Sequence, residues 1–226
     1  MKKILVISNK IYGNQIYHQL KLLNLPYKFY LITQKDKFNF KNIKKINPTY
    51  IFIPYWSFFV PKNIYANYEC INFHITDLPY GRGGTPLQNL ILRKFKKTKI
   101  TAFKCDDILD GGNIYLKKPL SLNGTAKEIL TRASDKIFKM IIKILNKKII
   151  PKPQKGKIYK FKRRNHSDSR ITSIKGLRNI YDFIRMLDAE EYPKAFIDTN
   201  HFKFEFSNAK IHKNNITASV KIYKKK

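Results

Sequence analysis

The sequence predicts an α/β fold, a mostly parallel sheet with helices on both faces, followed by a small C-terminal α+β appendage. Three observations predict it. Short continuous apolar runs at residues 4–7 and 50–53 read as strands buried on both faces. The stretch between the first two strands carries Ile16, Leu20 and Leu23 at helical spacing, so that one face is apolar. After the Pro- and Lys-rich segment 150–156 the pattern changes to short alternating strands around one helix. The expected domains are residues 1–150 and 151–226.

Element by element, residues 4–7 form the first strand. Ser8-Asn9-Lys10 turns into a helix at about 12–23. That turn is not Gly-x-Gly-x-x-Gly, which argues against an NAD or FAD enzyme. Residues 27–32 read as a second strand, 35–45 as a basic loop with a short helix, and 50–53 as a third strand. Trp56, Phe58 and Phe59 make an aromatic loop. Residues 70–73 form a fourth strand that delivers His74. A helix starts at Pro86, with Leu87, Leu90 and Ile91 inward, and strands follow at 100–105 and 113–117. Thr125 with Glu128 three residues on is a capping box, opening a helix to about 145. A second helix is expected at about 175–187, then strands near 195–197, 202–206 and 216–223.

The chain has 226 residues, 43% of them hydrophobic and 14% aromatic, enough to bury a core rather than remain disordered. Its formal net charge is +31. Lysine supplies most of that charge and is scattered, which reads as compositional drift rather than a designed basic patch. On this reading nucleic acid is not an expected partner, while the field favours anionic small molecules. Cys70 and Cys105 make no disulfide framework, no apolar run spans a bilayer, and no leader precedes the first strand. A reduced protein in the cytoplasm, away from membranes, is expected.

The chain is organised around residues 68–115. Asn72-x-His74 is followed by Leu78-Pro79, by Arg82-Gly83-Gly84 and Pro86, and then by Leu109-Asp110-x-Gly112. This ordered set resembles the signature of the folate-dependent formyltransferases. The resemblance implies a Rossmann-like formyltransferase fold and N10-formyltetrahydrofolate as co-substrate, with no metal. It also implies catalysis by Asn72, His74 and Asp110. An amine attacking a formamide makes a tetrahedral oxyanion, so such a site must donate hydrogen bonds to oxygen and take a proton from nitrogen. Asn72 offers an amide donor, His74 a donor or relay, and Asp110 a carboxylate. The histidines are too dispersed, and the cysteines too far apart, to suggest a metal ligand set.

Folate contacts are expected from Trp56, Arg82, Gly83, Gly84 and Asp107. Alternatives stand beside them. Trp56 can equally be packing on the sheet, and Arg82 can order its own loop. Asp106 and Asp107 compete for the carboxylate role, which the Leu-Asp-x-Gly match gives to Asp110.

Only about 70 residues follow the Pro151–Pro153 boundary, which looks short for the tRNA-binding barrel of methionyl-tRNA formyltransferases. Segments 115–122, 161–164, 181–189 and 192–196 resemble the small nucleotide-sugar N-formyltransferases of the pseudaminic-acid type. The expected acceptor is therefore the amino group of a nucleotide-linked deoxysugar, for surface glycan biosynthesis. Tyr181 and Arg185 would contact that substrate or else form an i,i+4-paired surface. Methionyl-tRNA as acceptor is the alternative, and a non-catalytic basic nucleotide- or nucleic-acid-binding protein is a third. A homodimer through the β-rich C-terminal segment is a further expectation.

Overall fold

The computed structural model describes residues 1–225. In chain order the elements are β1 (Lys2–Ile7), α1 (Ile11–Leu22), β2 (Tyr27–Ile32), α2 (Phe40–Ile46), β3 (Tyr50–Ile53), α3 (Lys62–Tyr65) and β4 (Cys70–His74). They continue with β5 (Tyr80–Gly83), α4 (Pro86–Leu92), β6 (Lys97–Lys104), β7 (Ile114–Ser121), α5 (Ala126–Asn146) and β8 (Tyr159–Phe161). The chain closes with α6 (Leu177–Arg185), β9 (Ala195–Asp198), β10 (Phe202–Ile211) and β11 (Ile216–Lys224). Packing makes two compact units. The first is Met1–Gly83, Thr98–Leu120 and Thr131–Lys160; the second is Gly84–Lys97, Ser121–Leu130 and Phe161–Lys226. The units interleave in sequence, where one boundary at residue 150 was expected, because α4 packs with α6 instead of with its sequence neighbours.

The first unit holds a six-stranded sheet in the order β2-β1-β3-β4-β6-β7. β1 runs parallel to β2 and β3, and β3 parallel to β4, while β6 pairs antiparallel with β4. Ile4, Leu5, Val6 and Ile7 are fully buried, which explains why β1 is apolar without alternation. Each such side chain stabilises the fold by about 1.5–3 kcal/mol. Leu5, Ile7, Ile51 and Ile53 share one cluster with Phe38, Ile43 of α2 and Ile64 of α3. Ile4, Val6 and Phe52, alternating with them, point to the other face and are no less buried. The sheet is therefore covered on both sides.

In the second unit β9, β10 and β11 form an antiparallel sheet in the order β11-β10-β9, with α6 packed on β10. Gly176, at φ +84°, precedes α6, so the helix starts two residues later than its periodicity suggests. The capping box forms. Glu128 Oε2 accepts the Thr125 N–H at 2.7 Å, and Thr125 Oγ1 accepts the Glu128 N–H at 3.3 Å. Among the described residues no helix is long and apolar enough to cross a membrane.

Candidate active site

β4 carries Asn72 and His74. Two residues apart on one strand, they face the same side of the sheet. β4 lies where the parallel run β1-β3-β4 meets antiparallel β6. Ligands of open α/β sheets bind at carboxyl ends of strands where the order changes. Asn72 Oδ1 accepts the Phe73 N–H at 2.7 Å. Its Nδ2 is therefore the end available to donate.

The turn after β4 is tied down by a residue that sequence reasoning reads only as strand. Buried Thr101, on β6, donates Oγ1–H to the Thr76 carbonyl at 2.7 Å and accepts the Leu78 N–H at 3.3 Å. Asp77 pairs with Lys117 and with Lys99, the latter at 2.9 Å. Burial pushes the Asp77 carboxyl up, but hydrogen bonds from the two lysines outweigh it and hold the group below its ordinary value.

The chain then forms β5, a strand that its glycine-rich composition disguises as turn. β5 pairs with β8, and the Tyr80 and Tyr159 rings stack at 5.1 Å. Gly81 and Gly83 both have positive φ, +77° and +97°, a backbone state that glycine adopts without penalty. This bend presents the Gly81 carbonyl to His74 Nε2 at 2.8 Å. A carbonyl can only accept, so Nε2 carries the proton and Nδ1 faces the other way. Nδ1 lies 3.8 Å from Asp110 Oδ2, with both side chains about nine-tenths buried. The imidazole is thus oriented by Gly81, with Asp110 close by as a charge partner.

Asp110 sits in a left-handed turn, φ +51°, and its Oδ2 accepts the Gly83 N–H at 2.8 Å. Gly112 is required for close approach: a Cβ there would lie 1.8 Å from the Lys104 carbonyl oxygen. The residue that joins these parts is Gln154. Its Nε2 donates to the carbonyls of Asp110 at 2.8 Å and Gly112 at 3.0 Å. Its Oε1 accepts from Arg82 Nη2 at 2.8 Å and Nε at 3.3 Å. A lone glutamine among prolines and lysines carries no sequence signal for this role.

The first unit brings together Asn72, His74, Arg82, Gly83 and Asp110. Buried Arg82 orders its loop through Gln154. Trp56 packs edge-on against Phe38, with centroids 5.6 Å apart, and against Phe58 at 5.2 Å, while its Nε1 is buried with no acceptor among the described residues. Asp107 is exposed on its loop. Gly84 belongs to the second unit, where a Cβ would meet the Arg163 Cα at 2.7 Å. So do Tyr181 and Arg185. Arg185 is buried, with Nε on Asp182 Oδ1 at 2.7 Å and Nη1 on the carbonyls of Leu122 and Gly124 at 2.7 Å each. Its guanidinium lies 5.7 Å from the Tyr181 ring centroid. This geometry makes Arg185 a hub of its own unit. Among the described residues no group of His, Cys, Asp and Glu side chains converges as a metal site.

A solved structure of a methionyl-tRNA formyltransferase from Clostridium thermocellum is 44% identical, covers 100% of both chains and superposes with a TM-score of 0.96. The chain belongs to the formyltransferase family. The family model for the C-terminal domain of methionyl-tRNA formyltransferase matches residues 166–223. A methionyl-tRNA formyltransferase of Thermodesulfovibrio yellowstonii is 30% identical over 159 residues, which are 67% of this chain and 52% of that protein. This formyltransferase chain thus spans about half the length of the curated relatives it matches.

Two further structures share the formyltransferase fold only. One is HypX from Aquifex aeolicus in complex with tetrahydrofolic acid, 14% identical with a TM-score of 0.74 over 91% of this chain and 37% of that one. The other is a 4-N formyltransferase from Francisella tularensis, 17% identical with a TM-score of 0.67 over 88% of this chain and 93% of that one.

These findings correct the acceptor expected from sequence. The nucleotide-sugar and surface-glycan reading is overturned, because sugar N-formyltransferases lie at 16–17% identity while the relatives at 30–44% carry the methionyl-tRNA name. The length argument fails as well, since a chain matched end to end bears that name. With it falls the expectation that nucleic acid is not a partner.

Proposed function

We propose that this formyltransferase moves a formyl group from N10-formyltetrahydrofolate to the amino group of methionyl-tRNA. The observation that supports it is the placement of Asn72, His74 and Asp110 in one unit, in a chain 44% identical throughout to a protein of that name. The folate co-substrate would supply an activated formamide carbon and, as the new C–N bond to the amine forms and the N10–formyl bond breaks, would leave as tetrahydrofolate, its N10 taking up the proton the amine gave up. The donor set fits it: an amide N–H, an imidazole and a carboxylate stand at the end of β4, beside the backbone opened by Gly81 and Gly83. Asn72, Trp56 and the Arg82-Gly83 loop are the residues of this unit that would hold it.

The chain's own residues then act as follows. Asn72 Nδ2 donates to an oxygen that gains negative charge. Gly81 holds the imidazole plane through Nε2–H, so that only Nδ1 can take up a proton. A proton reaching Nδ1 faces Asp110 Oδ2 at 3.8 Å, and Asp110 is the base that receives the proton of the attacking amine. The Gly83 N–H fixes the Asp110 carboxylate in that position. A cytoplasmic place of work accompanies this proposal.

The test is a transfer assay with N10-formyltetrahydrofolate and charged initiator methionyl-tRNA, with uncharged tRNA as control. Formyl-methionine recovered from the charged tRNA alone is the expected result. A folded protein that leaves charged tRNA unmodified overturns the proposal.

A further inference from the structure

The second unit contains a cleft of its own, of about 630 Å³. That lies within the range of about 300–1,000 Å³ usual for small-molecule sites. Its walls include Thr85, Gln88, Arg164, Asn165, His166 and Tyr192. The proposed transfer chemistry uses none of them.

Arg164 is the built part of this cleft. The Arg164 backbone N–H donates to Thr85 Oγ1 at 3.2 Å. Its guanidinium lies over the Phe183 ring, 5.5 Å from the centroid, and Nη2 donates to the Asp168 carbonyl. Nε is buried and meets no acceptor among the described residues. Burial lowers the guanidinium's affinity for its proton, with Asp168 opposing, yet an arginine stays charged at any working pH. A planar cation held over a ring suits a phosphate or carboxylate better than a lysine would.

The remaining walls suit a flat, hydrogen-bonding partner. His166 is exposed, with one ring face stacked on Phe196 at 5.4 Å and 21°. Tyr192 supplies a second ring. Buried Gln88 is fixed by its Nε2–H to the Met186 carbonyl at 3.2 Å. Two acids also line the cleft. Glu190 is matched by Lys127 at 2.9 Å, and Glu191 is exposed, where solvent and salt screen it.

We propose that this cleft takes a nucleotide, with its phosphate on Arg164 and its base against the rings of His166 and Tyr192. Stacking on His, Tyr and Arg planes is how proteins hold unpaired bases. The nucleotide has two sources with the same chemistry: an unpaired residue of an RNA strand, or a free mononucleotide. The first rests on the proposed tRNA acceptor; the second does not.

The experiment uses the full chain and two probes, a fluorescein-labelled single-stranded hexaribonucleotide followed by anisotropy and AMP followed by calorimetry. Three variants are compared: Tyr192→Ala, Arg164→Met and the rim change Asn165→Asp, each with a melting curve to show it is folded. Tyr192→Ala is expected to weaken binding about 5- to 100-fold. Arg164→Met is expected to lower the slope of log affinity against log salt by about one phosphate contact. Asn165→Asp, a like charge beside the phosphate, is expected to weaken binding of both probes.

Hexanucleotide binding that far exceeds AMP binding, with a KM for tRNA raised in the same variants, assigns the site to RNA. AMP binding lost in Tyr192→Ala, in a protein that leaves tRNA unformylated, keeps the nucleotide site while the proposed acceptor falls. Formylation of tRNA with hexanucleotide affinity and KM unchanged in all three variants overturns the cleft and leaves the proposed function standing. Absence of measurable binding by either probe overturns it as well.

Discussion

Gln154 Oε1 accepts both a 2.8 Å and a 3.3 Å hydrogen bond from the guanidinium of Arg82. Through its other end the same amide grips the carbonyls of Asp110 and Gly112. A residue with no catalytic group thereby joins the Arg82 loop to the turn that carries the Asp110 carboxylate. Replacing it by alanine leaves a buried arginine and two carbonyls without this partner. A fully buried orphaned group costs about 1–3 kcal/mol, but these contacts are part-buried and solvent can replace some of them. The Gln154→Ala protein is expected to lose about 2–4 kcal/mol by urea unfolding and at least 10-fold in kcat. Gln154→Glu keeps an acceptor for Arg82 and removes the donors, so kcat should stay low while part of the stability returns. A fully active Gln154→Glu enzyme would show that the carbonyl contacts are idle.

Asp110 has two separable jobs, accepting the Gly83 N–H and carrying charge beside His74. Asp110→Asn retains an acceptor of the same size and loses the charge. It should reduce kcat/KM for formyl transfer by about 10²–10⁴, the usual share of acid–base catalysis, with a melting temperature close to that of the parent. Asp110→Ala removes both jobs and should also melt lower. If the asparagine variant turns over at the parental rate, Asp110 is only a brace.

Part of this arrangement is legible in the order of the amino acids. The polar set around Asn72, His74 and Asp110 points to the family, and the uninterrupted apolar run of β1 points to a doubly covered sheet, because burial on both faces leaves no room for alternation. Thr125 and Glu128 announce the start of α5 through local hydrogen bonds alone. What escapes is long-range. β5 is a strand only because β8 pairs with it, whereas its glycines read as turn. Gln154 matters through partners more than 40 positions away in sequence. The acceptor is misjudged when chain length, a global property, stands in place of a contact.

Asp182 and Arg185 form a buried pair in α6, at 2.7 Å, with Lys94 as a second partner at 3.1 Å. Burial pushes the Asp182 carboxyl up, and the bonds from Arg185 and Lys94 more than reverse it, so its folded value lies below the ordinary one. A depressed carboxylate adds stability above its unfolded value, about 3.9, and that stability is lost as pH falls through the folded value. Arg185→Met should cost up to about 3–5 kcal/mol at pH 7, since it removes the buried partner of Asp182 and leaves it the more exposed Lys94 and Arg178. The difference from the parent should narrow below pH 4 as Asp182 protonates. Equal loss at pH 7 and pH 3 in urea titrations would place the effect in packing instead.

Burial, with Glu69 assisting, pushes the Cys70 thiol up to about 12. Only the thiolate is nucleophilic. At pH 8 the native protein should react with iodoacetamide far more slowly than the same protein in guanidinium, at Cys70 and at Cys105, whose thiol is raised for the same reason. Rapid labelling of native Cys70 would mean that β4 opens readily, and the site with it.

Gly112 stands where a single methyl group would meet the Lys104 carbonyl, yet the four positions 106–109 ahead of Asp110 are all exposed, Ile108 at 55% and Leu109 at 52%. For protein engineering this divides one short loop into a fixed anchor and an editable stretch. A library randomised at 106–109 should yield mostly folded proteins. One that also varies 112 should return glycine there in nearly every survivor. New acceptor contacts could therefore be written into those four positions without rebuilding the turn that holds the carboxylate.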